Sequence, residues 1–199
     1  MRWDHLFDDL ESQLEHELGA EEIDLLAEEE RLRLGRLALR DRLHVLMLET
    51  GVASPLRLVL TDGTRISLTV GAVGRDWLAG ELVREGGAPS SSVVPVAAIA
   101  ACFPDAAQTA ASTAPDPRDG SGVASLASRL GLPFVLRDLC RRRTSLHVTT
   151  VREQLHGTID RVARDHLDLA EHEPGLARRT SAVTALRMLP LPEIVQVRF

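Results

Sequence analysis

Six residues of this chain return later in nearly the same form: Val73-Gly74-Arg75-Asp76-Trp77-Leu78 is echoed by Val162-Ala163-Arg164-Asp165-His166-Leu167. A second echo follows each copy, Val94-Pro95-Val96-Ala97-Ala98-Ile99 against Leu189-Pro190-Leu191-Pro192-Glu193-Ile194. Two matches in the same order predict one small β-rich unit used twice. This limits the architecture to something modular and leaves the activity open.

Hydrophobic periodicity divides the chain. Residues 1–49 read as an amphipathic helical arm, broken near Gly19, in which Trp3, Leu6, Leu10 and Leu14 form one apolar stripe. Its second part carries acids early (Glu21, Glu22, Asp24, Glu28, Glu29, Glu30) and arginines late (Arg31, Arg33, Arg36, Arg40, Arg42), which complements a helix dipole. Pairs such as Glu29 with Arg33 suit contacts one turn apart. From Leu56 the period becomes two: Leu56, Leu58 and Leu60, then the turn Thr61-Asp62-Gly63-Thr64, then Ile66, Leu68 and Val70. Gly71 marks a bend or bulge. Further strands are expected at Trp77–Val83, Ser92–Pro95 and Ile99–Phe103, completing a first small barrel over 54–103. Residues 104–122, rich in Ala, Ser, Thr, Asp, Pro and Gly, read as a flexible linker. A helical segment follows over 123–143, interrupted at Gly131-Leu132-Pro133. A second small barrel over 144–199 repeats the first: three strands, a loop, a strand, a proline turn and a last strand. The fold class is therefore α+β: an N-terminal helical arm and two small barrels, each preceded by a helix.

The helix, the strand ending in Asp62-Gly63, the alternating strand after it, and Asp76 before Trp77-Leu78 together resemble the first motif of Sm-like small β-barrels. A proline-led turn before the last strand is similar to that of SH3-like barrels. With the opening Met1-Arg2-Trp3-Asp4, the layout resembles an actinobacterial family with tandem Sm-like or SH3-like barrels, whose members are sometimes labelled Fis-type transcriptional regulators. The resemblance implies RNA or DNA binding as one expectation. The Sm-like RNA pocket does not carry over residue by residue, because the chain has no Asn and Ser92-Val93-Val94-Pro95 lacks a basic-glycine segment. A β-patterned C-terminus is also poor material for a recognition helix.

A net charge of −6 disfavours bulk phosphate binding and leaves room for a local basic face. All 23 cationic residues are Arg, and Lys, Asn and Tyr are absent, the mark of a GC-rich coding sequence. The strongest basic cluster is Arg137, Arg141, Arg142 and Arg143, which would cap a helix C-terminus or contact nucleic acid or another anion. Arg178 and Arg179 would extend it if they lie nearby. Arg75-Asp76 and Arg164-Asp165 are expected to close equivalent turns through the aspartate side chains. His156, His166 and His172 are the densest histidine group, but no metal-like spacing exists, so no metal site is expected. Cys102 and Cys140 are expected as reduced, buried thiols. No Gly-rich phosphate loop, nucleophile elbow or Ser/His/Asp spacing appears, so neither an enzyme nor a cofactor is expected. The acidic start leads into no apolar signal segment, and no run approaches ~18 apolar residues, so the expectation is a cytoplasmic protein without a membrane span.

These observations favour a non-enzymatic regulatory or scaffold protein acting through protein partners. The stripe of Trp3, Leu6, Leu10 and Leu14 is the candidate contact, unless it folds back on the barrels. The alternative is an RNA- or DNA-binding Sm-like module using the Arg137–Arg143 face. A hydrolase or metal protein built on the C-terminal histidines is the third reading. Oligomeric state stays open, as does whether the barrels pack on each other as a pseudo-dimer.

Overall fold

The computed structural model describes residues 22–49, 54–84, 89–115, 126–176 and 178–199. It comprises two compact units, Met1–Ala38 and Leu39–Phe199. In the first, helix α1 covers 22–35 and is exposed along most of its length. Ion pairs three residues apart lie along it, Arg31 with Glu28 and Arg33 with Glu30. The helix stops after Gly35, where Arg36 N donates to Arg33 O at 3.1 Å. The expected 1–49 arm is therefore interrupted, and the following helix belongs to the second unit. The break expected at Gly19 and the stripe Trp3, Leu6, Leu10 and Leu14 lie outside the described residues.

In the second unit, α2 (Leu39–Glu49) precedes β1 (Leu56–Leu60), β2 (Arg65–Val73), β3 (Trp77–Leu82), β4 (Ser91–Pro95) and β5 (Ile99–Phe103). Gly63 takes a φ of +84° in the β1–β2 turn, which favours glycine, and Asp62 Oδ1 accepts from Thr64 N at 2.9 Å. Next come α3 (Ala106–Thr113), α4 (Leu126–Arg129) and α5 (Leu132–Arg141). The chain ends with β6 (Ser145–Thr150), β7 (Gln154–Val162), β8 (His166–Glu171), β9 (Ala185–Pro190) and β10 (Ile194–Arg198).

The two halves are built alike in detail. Strands β2 and β3 pair with a register shift between Val70 and Ala72, and β7 and β8 with one between Ile159 and Arg161. Gly74 N donates to Trp77 O at 2.8 Å, and Ala163 N to His166 O at 2.9 Å. Short 3-10 turns, Val96–Ala98 and Leu191–Glu193, connect the last two strands of each half.

The expected α+β class with helices ahead of β-rich halves is present, while the two small barrels do not stand as closed units. All ten strands described join one antiparallel sheet in the order β5-β1-β2-β3-β4-β10-β6-β7-β8-β9, and that sheet is open. The physical reason is an edge: β4 and β10, one from each half, satisfy each other's backbone groups. The apolar cores are shared across the same seam. Trp77 and Val93 from the first half pack with Leu132, Leu136 and Leu139 of α5 and with the apolar faces of β6–β10. In return, Val195 of β10 packs with α2 and β1–β4.

The flexible linker over 104–122 is corrected in part, because α3 is folded within it. Asp105 accepts from Gln108 N at 2.8 Å, and the Gln108 side chain accepts from Asp105 N at 2.9 Å, a reciprocal helix cap. Arg42 of α2 then donates to Ser112 Oγ at 3.0 Å. Residues 116–125 are outside those described. The 123–143 segment divides into α4 and α5 at the predicted Gly131-Leu132-Pro133, with Pro133 in the first turn of α5. Among the described residues, no helix is long and apolar enough to cross a membrane.

Candidate functional site

The four arginines singled out on α5 separate into two places. Arg141 and Arg142 both pair with Asp138, the latter at 2.7 Å. Arg143 takes a φ of +54°, ends the helix by donating its N–H to Cys140 O, and reaches Asp160 at 3.0 Å. Arg178 meets the condition of lying nearby, but on the same carboxylate, donating from Nε to Asp160 Oδ1 at 2.8 Å. Hydrogen bonding from Arg178, opposed by partial burial and aided by the charges of Arg178 and Arg143, holds the Asp160 carboxyl below the usual range. Two carboxylates thus neutralise much of the basic cluster that the sequence displays.

Arg137 points elsewhere, donating to Ala163 O at 3.3 Å in the β7–β8 turn. There it lines a shallow depression of about 480 Å³ together with Arg75, Arg129 and Arg164. The echoed arginines Arg75 and Arg164 therefore meet on one surface. The aspartates beside them were expected to do the same job, and their side chains do not. Asp76 Oδ1 accepts from Leu132 N at 2.7 Å and so caps α5, whereas Asp165 binds the His166 ring at 2.7 Å. What repeats is the main chain: Asp76 O accepts from Val96 N at 2.9 Å and Asp165 O from Leu191 N at 2.8 Å.

The floor of the depression is well anchored. Arg75 N and Trp77 Nε1 both donate to Leu130 O, at 3.0 and 2.9 Å. Arg40 ties the same region together, donating to Gly74 O and Ser128 O, each at 2.9 Å.

The histidine group also differs from expectation. His156 stands between His147 and His172, with ring centroids 4.6 and 5.1 Å apart, while His166 is the neighbour of Asp165. His156 uses Nδ1 on His172 O and Nε2 on Ser145; His172 uses Nδ1 on Glu173 O and Nε2 on Thr158. With both nitrogens of each ring committed, neither offers a lone pair to a metal, and no cluster of metal-ligating groups occurs among the described residues. Cys102 and Cys140 are free thiols, half-buried, and burial pushes the Cys102 thiol up.

Strand edges form a further candidate surface. At the β4–β10 junction, Ser91 and Phe199 exchange two backbone hydrogen bonds of 3.0 Å, and Val93 lies opposite Val197. Both valines are buried there, at 1% and 0% exposure. Among the described residues the corresponding outer edges are free: β9 pairs only with β8 and β5 only with β1. On β9, Leu186 and Met188 are 71% and 78% exposed, and Phe103 on β5 is half-exposed.

One basic surface escaped the sequence reading. Arg57, Arg65, Arg84 and Arg198, from β1, β2, the end of β3 and β10, line a single cavity of about 470 Å³. Spread over more than a hundred residues, they leave no run that a sequence window registers. Comparison of the chain with family models, curated proteins and solved structures finds no match.

Proposed function

We propose that this chain is a non-enzymatic scaffold protein in which two copies of a small Sm-like or SH3-like unit are joined edge to edge, and that it acts through protein contacts with further copies of itself. The observation that carries this reading is the β4–β10 junction. It joins the last strand of one half to the fourth strand of the other, a head-to-tail contact that leaves the two complementary edges unpaired among the described residues. Met188 holds the place in β9 that Val93 holds in β4, yet it is exposed where Val93 is covered. Cys102 holds the place in β5 that Val197 holds in β10. Antiparallel pairing of β9 with β5 of the next copy would set Met188 opposite Cys102 and cover both apolar edges. Repetition of such a contact closes a ring or grows a filament. Sedimentation velocity over a range of concentrations tests it: assembly that deepens with concentration is expected, and a monomer at all concentrations overturns it.

A second reading is favoured by one specific observation, the convergence of Arg75, Arg129, Arg137 and Arg164. In an assembly these depressions would recur at a fixed spacing, which suits the phosphates of RNA or DNA. Replacing Arg129 and Arg164 by Ala should remove salt-sensitive nucleic-acid retention; retention unchanged by that pair rejects the site.

A further inference from the structure

The cavity of Arg57, Arg65, Arg84 and Arg198 shares no arginine with the depression at Arg75 and Arg164, and meets the free β5 edge at Phe103. No carboxylate lines it, and none of the four guanidinium groups forms an ion pair among the described residues. Several arginines elsewhere in this acidic chain are paired: Arg141 and Arg142 with Asp138, Arg143 and Arg178 with Asp160, Arg187 with Glu153. Asp105, whose carboxyl is lowered in part by the charge of Arg57, is already committed to Gln108 N and Ser54.

Arg198 is the most constrained of the four. Its Nε is buried and has no hydrogen-bond partner among the described residues, a costly state for a charged donor. Burial lowers its proton affinity, and the charge of Arg84 lowers it further. His147 is lowered by burial, then by His156, and then by Arg198 and Arg84. Positive charge accumulates here without a paired carboxylate among the described residues. The remaining walls mix apolar side chains, Leu58, Ile66, Leu82, Val83 and the half-exposed ring of Phe103, with the neutral polar side chains of Thr64, Ser67, Gln154 and Gln196. About 470 Å³ lies within the range of small-molecule sites and exceeds the need of a single phosphate.

We propose that the Arg57–Arg65–Arg84–Arg198 cavity is a binding site for a nucleoside phosphate, with the guanidinium groups holding the phosphates and Phe103 with its apolar neighbours holding the base. Arginine suits this task because its planar fork donates two hydrogen bonds to one phosphate, and it stacks as well as pairs. The same chemistry is presented by a free nucleotide and by one residue of a single-stranded nucleic acid.

The test is equilibrium binding to the full chain at low ionic strength, with three probes: ADP, a short single-stranded oligoribonucleotide and inorganic pyrophosphate. Saturable binding of ADP identifies the free nucleotide as the source. Binding of the oligonucleotide without ADP assigns the site to a nucleic-acid residue. Either result supports the proposal if the exposed-residue variants Arg57→Ala, Arg65→Ala and Arg84→Ala each weaken binding about tenfold or more, the loss expected for one charge-assisted hydrogen bond. Arg142→Ala, remote from the cavity and paired with Asp138, should leave binding unchanged, and circular dichroism checks that each variant is folded. Pyrophosphate binding as tightly as ADP overturns the nucleoside assignment. Failure of all three probes, or affinity unchanged in the Arg57/Arg65/Arg84 triple variant, overturns the site.

Discussion

Placing two charges on the free edge of β9, in the variant Leu186→Lys with Met188→Lys, should disrupt self-assembly and leave the fold intact. Both side chains are exposed in the single chain, at 71% and 78%, so the substitutions remove no core packing. The internal junction shows what pairing would cover, since Val93 at the place of Met188 is only 1% exposed. Full burial of a Leu or Met side chain contributes about 1.5–3 kcal/mol. Scaled to roughly three quarters for two residues, the loss is about 2–4 kcal/mol per contact, or roughly 30- to 1,000-fold in dissociation constant. Sedimentation velocity at matched concentrations reads this directly, and thermal melting confirms that the variant monomer is folded. Register is tested separately by cross-linking. Ser92 and Arg198 form a non-hydrogen-bonded pair at the internal junction, and their counterparts at the outer edges are Arg187 and Phe103. In such a pair the Cα atoms are about 4.5 Å apart, within disulfide reach. Phe103→Cys and Arg187→Cys on separate chains, in a Cys102→Ala background, should therefore form a disulfide when mixed and not alone. If the double-lysine variant assembles with the same midpoint as the parent, or if the cysteines fail to join in a chain that does assemble, the edge-pairing argument is wrong.

Three further outcomes follow from the packing. Asp160→Asn should cost about 1 kcal/mol near neutral pH by breaking the pairs with Arg143 and Arg178. Because the folded carboxyl is lowered, that contribution exists above the unfolded pKa of about 3.9 and is lost as pH falls through the folded value; urea titrations of both proteins at pH 7 and pH 3 should diverge and then converge. Trp77→Phe removes the indole hydrogen bond to Leu130 O and should lower stability by about 1–2 kcal/mol, read from denaturant midpoints; an unchanged midpoint would show that the α4–α5 loop does not depend on it. Gly80→Ala would bring a Cβ within 2.0 Å of Thr69 O, a backbone atom that cannot swing aside, so a loss of at least about 2 kcal/mol is expected in thermal melts.

Much of the local structure was legible because its signals are local. Alternation of Leu56, Leu58 and Leu60 places those residues inside β1, and the bulge near Gly71 is where the pattern predicts it. Helix α3 was missed: Asp105 followed by Gln108 is a capping-box spacing, but the composition of the segment reads as linker. The candidate sites were less readable. The run Arg141-Arg142-Arg143 looked basic, but Asp160, distant in sequence, and Asp138 offset its charge. Conversely, Arg57, Arg65, Arg84 and Arg198 are isolated in sequence and gather only when the folded sheet brings β1, β2, the end of β3 and β10 around one cavity.

The ordered echoes around Arg75-Asp76 and Arg164-Asp165 were enough to place the same strands, bulges and turns in both halves, because periodicity and turn chemistry act over a few residues. They could not decide that β4 would pair with β10 and merge the halves into one open sheet. Backbone edges carry no side-chain signature, and any strand with free N–H and C=O groups can accept any other. Which edges meet depends on how α5, Trp77 and Val93 bring the halves together around one apolar core. The same tertiary step gave the echoed aspartates different partners while leaving their main-chain bonds alike.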